Sequence, residues 1–509
     1  MRRSSSVRRS QLNVVPLEER ATPAFVGYSA GTMTVWANDG DAIAISPDGS
    51  GIAGHVKVVV GANTVANNQP VKWLVVNYGA AKHYSLDVSG VTLNSLTVNG
   101  APGSTDITIE GDTHVTGNLM ILGNAAGTGD DNVTLQNGVI VGKNASIKLR
   151  DGENHINVDG GTIGGTLTLG GGAGNDWIKL ANTGNLAIGT DLNMAFGAGH
   201  NLTSSDGDNL ISVGRNWTYA GSTGTDRLPM SGFGTQIWVG GNVTVNFGAT
   251  AAADEQWSND AMFVGGNFKV MGGDQKEKVW FSGDTTIGGN VSVNFGGGRG
   301  EFNSGLFGGG SSKIGGNLTV VGKNSLDFGL DHLIVGGDVN VTSGPEASMA
   351  DMVRIGISQV APVIVDGALN IHTNSGADTI DIMRLHVGEG FTLSTGGGAD
   401  QVQIDDSEFL GPTLIDLGGG ADNLEIDCRF KDANGFNLND PTQFQDNLTV
   451  QAGDGDDSVN FSDLTGTRVI VGGNLKLVGG LGGDMFVHDA AANKYLGTKF
   501  EDFEGGEAL

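Results

Sequence analysis

The sequence predicts an all-β chain: a right-handed, single-stranded parallel β-helix, or β-solenoid, with about 25 residues per coil and roughly 16 coils. Three observations predict it. Glycine fills 87 of 509 positions and proline only 10, without a collagen period, which implies tight turns at short intervals. Aromatic residues make up 6% and charged residues 17%, too few for a large conventional core, whereas the β-formers Val, Ile and Thr abound. Two short signatures alternate along the chain at a fixed period, as in a solenoid whose units bury their apolar faces only on stacked copies.

Residues 1–24 (MRRSSSVRRSQLNVVPLEERATPA) are basic and serine-rich and lack the apolar stretch of a secretory signal. They read as a leader or targeting segment, disordered or removed. Within them, VVPLEERATPA (14–24) resembles the LEDR/LEPR-type leader of large exported proteins of planctomycete bacteria, and the resemblance implies a secreted or cell-surface location. Residues 25–90 fit the period poorly, although NDGDAIAI (38–45) echoes the second signature. They are expected to cover the open end of the helix, whose strand edge would otherwise lack partners. GYSAG, Gly27 to Gly31, spells a nucleophile elbow, but that motif needs a strand-to-helix turn and nothing nearby reads as helix, so Ser29 is not expected to attack anything.

The β-helix is expected over residues 91–487. Its first signature is a strand, a glycine turn and a strand, as in WVGGNVTV (238–245), FVGGNFKV (263–270) and TIGGNVSV (286–293). The polar turn residue recurs at Asn118, Asn144, Thr166, Asp191, Asn216, Asn242, Asn267, Asn290, Asn317 and Asp338, spaced 21 to 27 apart, and again at Asn474. The asparagines read as a structural turn ladder. Asn tolerates the left-handed backbone of a sharp turn, and stacked amides can bond along the rod. The second signature puts a polar residue between a glycine turn and an alternating strand: Asp131, Asn154, Asp176, Asp226, Asp378, Asp400, Asp422 and Asp457, with Asp484 closing the series and Glu277 and Asn324 assigned mid-chain. In each strand Val, Ile and Leu should point inward and Thr, Asn and Ser outward. Residues 428–445 stretch the period and read as an inserted loop; residues 488–509 read as a C-terminal cap.

The second signature resembles the RTX repeat, G-G-x-G-x-D-x-U-x, whose turns hold calcium. GGAGNDWI (Gly171 to Ile178) and GGLGGDMF (Gly479 to Phe486) match every fixed position, and the turns before Asp131, Asp400, Asp422 and Asp457 match from the second glycine on. The resemblance implies Ca²⁺ as cofactor. Here, however, one such turn serves a long coil, where an RTX coil has two. Carboxylates on adjacent coils, ~5 Å apart, repel by roughly 3 kcal/mol at an effective dielectric near 20. Unless they splay into solvent, they want a cation. Asp378, Asp400 and Asp422, on successive coils, are the first candidates as metal ligands, then Asp457 with Asp484; Asp131 and Asp176 are separated by the Asn154 coil.

A net charge of −28 repels nucleic acid and anionic membranes, and no run of 18 apolar residues suggests a transmembrane segment. Cys428 is the only cysteine, so no internal disulfide is expected, and the nine histidines show no ligand spacing. The expected protein is a secreted or cell-surface structural or adhesive β-solenoid, its location implied by the leader resemblance and Ca²⁺ at Asp-bearing turns by the RTX resemblance, with acidic, Thr/Asn-rich faces contacting carbohydrate or extracellular matrix. The alternative is a polysaccharide lyase or glycoside hydrolase of the parallel β-helix type. For it, Asp405, Asp406, Asp416 and Asp427 would form the acid group beside Arg429 and Lys431.

Overall fold

Alternation in the sequence becomes alternation in burial. In Val243–Asn246 both valines are buried and Thr244 faces out, and the same pattern governs Val291–Asn294 and Leu318–Val321. A computed structural model describes residues 25–503 except 39, 62, 67–69, 80–82, 101, 124–128, 206, 231–233, 249–254, 306–310, 345–348, 358–360, 429–439 and 463–467. The leader, Arg429 and Lys431 lie outside the described residues.

One coil runs from a strand after a GGN turn (Phe268–Met271), through the Asp-type turn to a second strand (Glu277–Phe281), round a corner to a short third strand (Thr285–Ile287), and on to the next GGN turn. Stacking these coils in parallel register produces three sheets, here the Asn-led, Asp-led and short-strand sheets, in a solenoid of about 15 turns. No described residue is helical, and none belongs to a helix long and apolar enough to cross a membrane.

Three sequence boundaries shift. Parallel stacking begins before residue 90, because Trp73–Tyr78 already pairs in parallel with Ser95–Asn99, and His83–Ser89 with Ser104–Glu110. Antiparallel pairs cover the N-terminal end: Phe25–Ser29 lies along Thr32–Ala37, and Val56–Val60 bridges Ala42–Pro47 and Asn63–Ala66. Ser29 therefore ends the first strand of a hairpin, followed by Ala30 and Gly31 with φ of 50° and 86°. At the other end, Lys494–Tyr495 and Lys499–Asp502 join the short-strand and Asn-led sheets in parallel, so the described part of 488–509 continues the solenoid where a cap was expected. The segment read as an inserted loop includes Thr442–Phe444, a regular strand of the short-strand sheet.

Inside, the few aromatics are concentrated. Trp217, Trp257, Phe268, Phe281, Phe302 and Phe328 form a continuous buried chain with ring centres 5.2 to 5.7 Å apart. Phe391, Phe409 and Phe444 stack nearly parallel further on, at 4.8 and 5.0 Å. Large side chains that fill the same level on successive coils remove far more apolar surface per residue than the aliphatic rows around them.

Candidate functional site

The two signatures make two corners, and each corner is a ladder of side chains capping backbone. At the GGN corner every Asn oxygen accepts the N–H of the equivalent residue one coil later: Asn267 donates to Asn242 Oδ1 and Asn290 to Asn267 Oδ1, both at 2.8 Å, and Asn317 to Asn290 Oδ1 at 2.8 Å. Asn144 likewise donates to Asn118 Oδ1 at 3.2 Å, Asn242 to Asn216 Oδ1 at 3.0 Å, and Thr498 to Asn474 Oδ1 at 3.0 Å. None of these asparagines has a positive φ, so the left-handed backbone expected of them is absent. Asn is needed as an acceptor that reaches the next coil. The preceding glycine leaves it room, since a Cβ on Gly266 would sit 2.5 Å from Asn242 Oδ1.

At the Asp corner the polarity is reversed, and each side chain accepts from the coil before it. Asp351 donates its N–H to Asp378 Oδ1 and Asp378 to Asp400 Oδ1, both at 2.7 Å; Asp400 donates to Asp422 at 2.8 Å, Asp422 to Asp457 at 2.9 Å, and Asp457 to Asp484 at 3.1 Å. The register thus brings all five candidate aspartates of the C-terminal half onto one line, extended to six by Asp351. They do not splay into solvent. Asp378, Asp400, Asp422, Asp457 and Asp484 are all 2% exposed or less, and the Oδ2 of each is buried without a hydrogen-bond partner. Burial pushes Asp378 and Asp422 up to about 7 and raises Asp400 and Asp457, against the backbone N–H bonds that hold each of them down. Asp351 differs, because its Oδ2 is bonded by Ser343 Oγ and, at 2.9 Å, by Asn374 Nδ2.

The N-terminal half relieves the same crowding with amides. Asn154 Nδ2 donates to Asp176 Oδ1 at 2.8 Å, and Asn201 Nδ2 to Asp226 Oδ1 at 2.9 Å, so acids alternate with neutral residues. Asp131 and Asp176 each still keep one unpartnered oxygen. Between the halves lie two acids in register, Glu255 and Glu277, both fully buried. Neither oxygen of Glu255 has a partner, nor has Glu277 Oε1, and burial with mutual repulsion pushes Glu255 up to about 9 while burial pushes Glu277 to about 8. The ladder is interrupted only at Gly300 and Leu326; Asn324, assigned to it from spacing, instead donates its amide to Gly297 O. Glu255 and Asp351 escaped the sequence reading because neither follows the Gly-x-Asp frame.

What the ladder offers a metal is hard oxygen in quantity but not in one place. Among the described residues no three acids or other ligating side chains surround a single point. The orphaned Oδ2 atoms nevertheless fit a hard cation in chemical type, and Asp378, Asp400, Asp422, Asp457 and Asp484 are the residues that would hold Ca²⁺. Its chemistry there would be charge neutralisation.

The acids weighed for catalysis are only partly gathered. Asp406 and Asp427 occupy the third corner, between Asp-led and short strands, with φ of 48° and 57°. Asp406 accepts the Asp440 N–H at 3.1 Å, and Asp427 accepts the N–H of Arg468 and, at 3.4 Å, that of Thr442. Burial pushes both up to about 6, with Asp427 and Asp440 adding repulsion at Asp406. Asp405 is buried at the end of the Asp-led strand Gln401–Asp405, and Asp416 lies on the Asn-led sheet in register with Ser394 and Gln451. No family model, curated protein or solved structure matches this chain, so its functional reading rests on fold and geometry.

Proposed function

We propose that this chain is a structural or adhesive rod of the cell exterior that holds carbohydrate or matrix polymer through repeated weak contacts, with Ca²⁺ stabilising its acidic turns. The observation that supports it is the outer face of the Asn-led sheet. Thr218, Thr244, Ser292, Thr319 and Asn340 stand in one register line, interrupted by Lys269, and present hydroxyls and amides along the rod. A line of such groups at strand spacing suits a polyol chain lying along the axis, each contact adding a small increment. Calcium belongs to this reading because the buried unpartnered Oδ2 atoms call for a positive partner, a cation or a proton.

The test is retention of the full chain on immobilised polysaccharides together with an assay for released sugar ends. Retention without product supports the rod. Product release that is lost in Asp406→Asn would replace the rod with the glycan-processing alternative, and absence of both sinks the carbohydrate reading.

A further inference from the structure

The short-strand sheet carries a feature that a line of hydroxyls does not explain. Its outward positions on four consecutive coils are Ser212, Trp238, Phe263 and Thr286. Trp238 is 41% exposed and Phe263 40%, although the interior takes up large rings elsewhere. Their planes lie within 7° of each other with centres 6.0 Å apart. The indole leans along its strand over the glycine corner: a Cβ on Gly240 would come within 3.1 Å of Trp238 Cη2. The two rings border a cleft of about 610 Å³ whose polar lining is Ser212, Gln236, Thr286 and Asp284, with no basic side chain.

Two large adjacent rings left in water, rimmed by polar groups, mark a binding surface. Charge narrows the occupant. Asp284 in the cleft and a chain charge of −28 disfavour polyanions such as nucleic acid and uronate polymers. A flat aromatic face matches the C–H face of a pyranose, and the hydroxyls and amide of the rim match its equatorial hydroxyls. We infer that Trp238 and Phe263 form a stacking subsite for a neutral pyranose polysaccharide lying along the rod, with Gln236, Ser212 and Thr286 as hydrogen-bonding partners. This rests on the carbohydrate-contact reading and gives it a place and a ligand class.

Affinity electrophoresis of the full chain through gels containing galactomannan, xylan, hydroxyethyl cellulose or polygalacturonate tests it. The wild type should be retarded by at least one neutral polymer. The double variant Trp238→Ala, Phe263→Ala should bind about tenfold more weakly, and Trp177→Ala, which removes an exposed ring on another sheet, should bind as the wild type does. All three should keep the same β circular dichroism, since the altered rings are exposed. Undiminished binding by the double variant overturns the subsite and leaves carbohydrate contact standing. Retardation by polygalacturonate alone overturns the ligand class. No retardation by any polymer overturns subsite and contact together, and a wild-type dimer that the double variant dissolves, seen by light scattering, assigns the rings to a second copy of this chain instead.

Discussion

A carboxylate with one oxygen capped by backbone and the other buried alone is poorly stabilised as an anion, and Asp400 is such a group. Its Oδ1 accepts the Asp378 N–H, so removing the side chain leaves that donor without its partner in the interior. Asp400→Ala should therefore cost about 1–3 kcal/mol in urea unfolding. Asp400→Asn should behave differently. It keeps the Oδ1 acceptor, removes the charge, and brings an Nδ2 that can reach the next acid as Asn154 reaches Asp176. The expected outcome is a larger stabilising effect at pH 8 than at pH 5, since burial raises the Asp400 carboxyl and the amide removes the charge that rising pH favours. Destabilisation at both pH values would mean that the charge itself is wanted, as it would be if a cation sits beside it.

Coils differ in what holds them, and the coil from Asn242 to Met271 separates the contributions. Phe268→Ala opens the aromatic chain between Trp257 and Phe281 and should cost about 3–5 kcal/mol. Gly266→Ala drives a methyl against Asn242 Oδ1, with a cost of about 1–3 kcal/mol, and Asn267→Ala removes one exposed cap for about 1 kcal/mol. Amide hydrogen exchange over this coil should rank the three in that order. The GGN and Gly-x-Asp turns were legible because close approach of stacked backbones demands glycine and capping demands a short side-chain oxygen, and both demands leave a repeated residue type. The third corner left no such trace. It needs a positive φ, and His332, Arg384, Asp406, Asp427 and Ser462 all supply it, so no single residue type marks it. Burial of the acids was hidden for a related reason, since a Gly-x-Asp turn is spelled the same way whether its oxygen faces water or the core. The aromatic chain was equally hidden, because each ring occupies an ordinary inward position of its strand.

Along the whole rod the ladder makes stability a function of pH, and the sign follows from the direction of the shifts. Asp176, Asp378 and Asp422 titrate at about 7 when folded, Glu277 at about 8 and Glu255 at about 9, all above their ordinary values of 3.8 for Asp and 4.5 for Glu. Between those limits the folded chain binds more protons than the unfolded chain. The contribution is full in acid below the unfolded values, and it is lost as pH rises from there through the folded ones. Melting followed by circular dichroism in chelator should show a midpoint that falls steadily from pH 5 to pH 9. General repulsion in a chain of net charge −28 acts in the same direction, so the double variant Glu255→Gln, Glu277→Gln is the control. It should flatten the decline above pH 7 if the buried pair holds protons, and leave it unchanged if surface repulsion dominates. Calcium can replace the protons, and at ~100 times its dissociation constant it adds about 2.7 kcal/mol per site. Millimolar Ca²⁺ should therefore raise the midpoint more at pH 8 than at pH 5, where Asp378 and Asp422 already hold protons, and Asp400→Asn should reduce that rise. A midpoint that is level from pH 5 to pH 9 in chelator would show that the buried column carries its charges without protons, and a rise with Ca²⁺ equal at both pH values would place the ion at ordinary surface carboxylates.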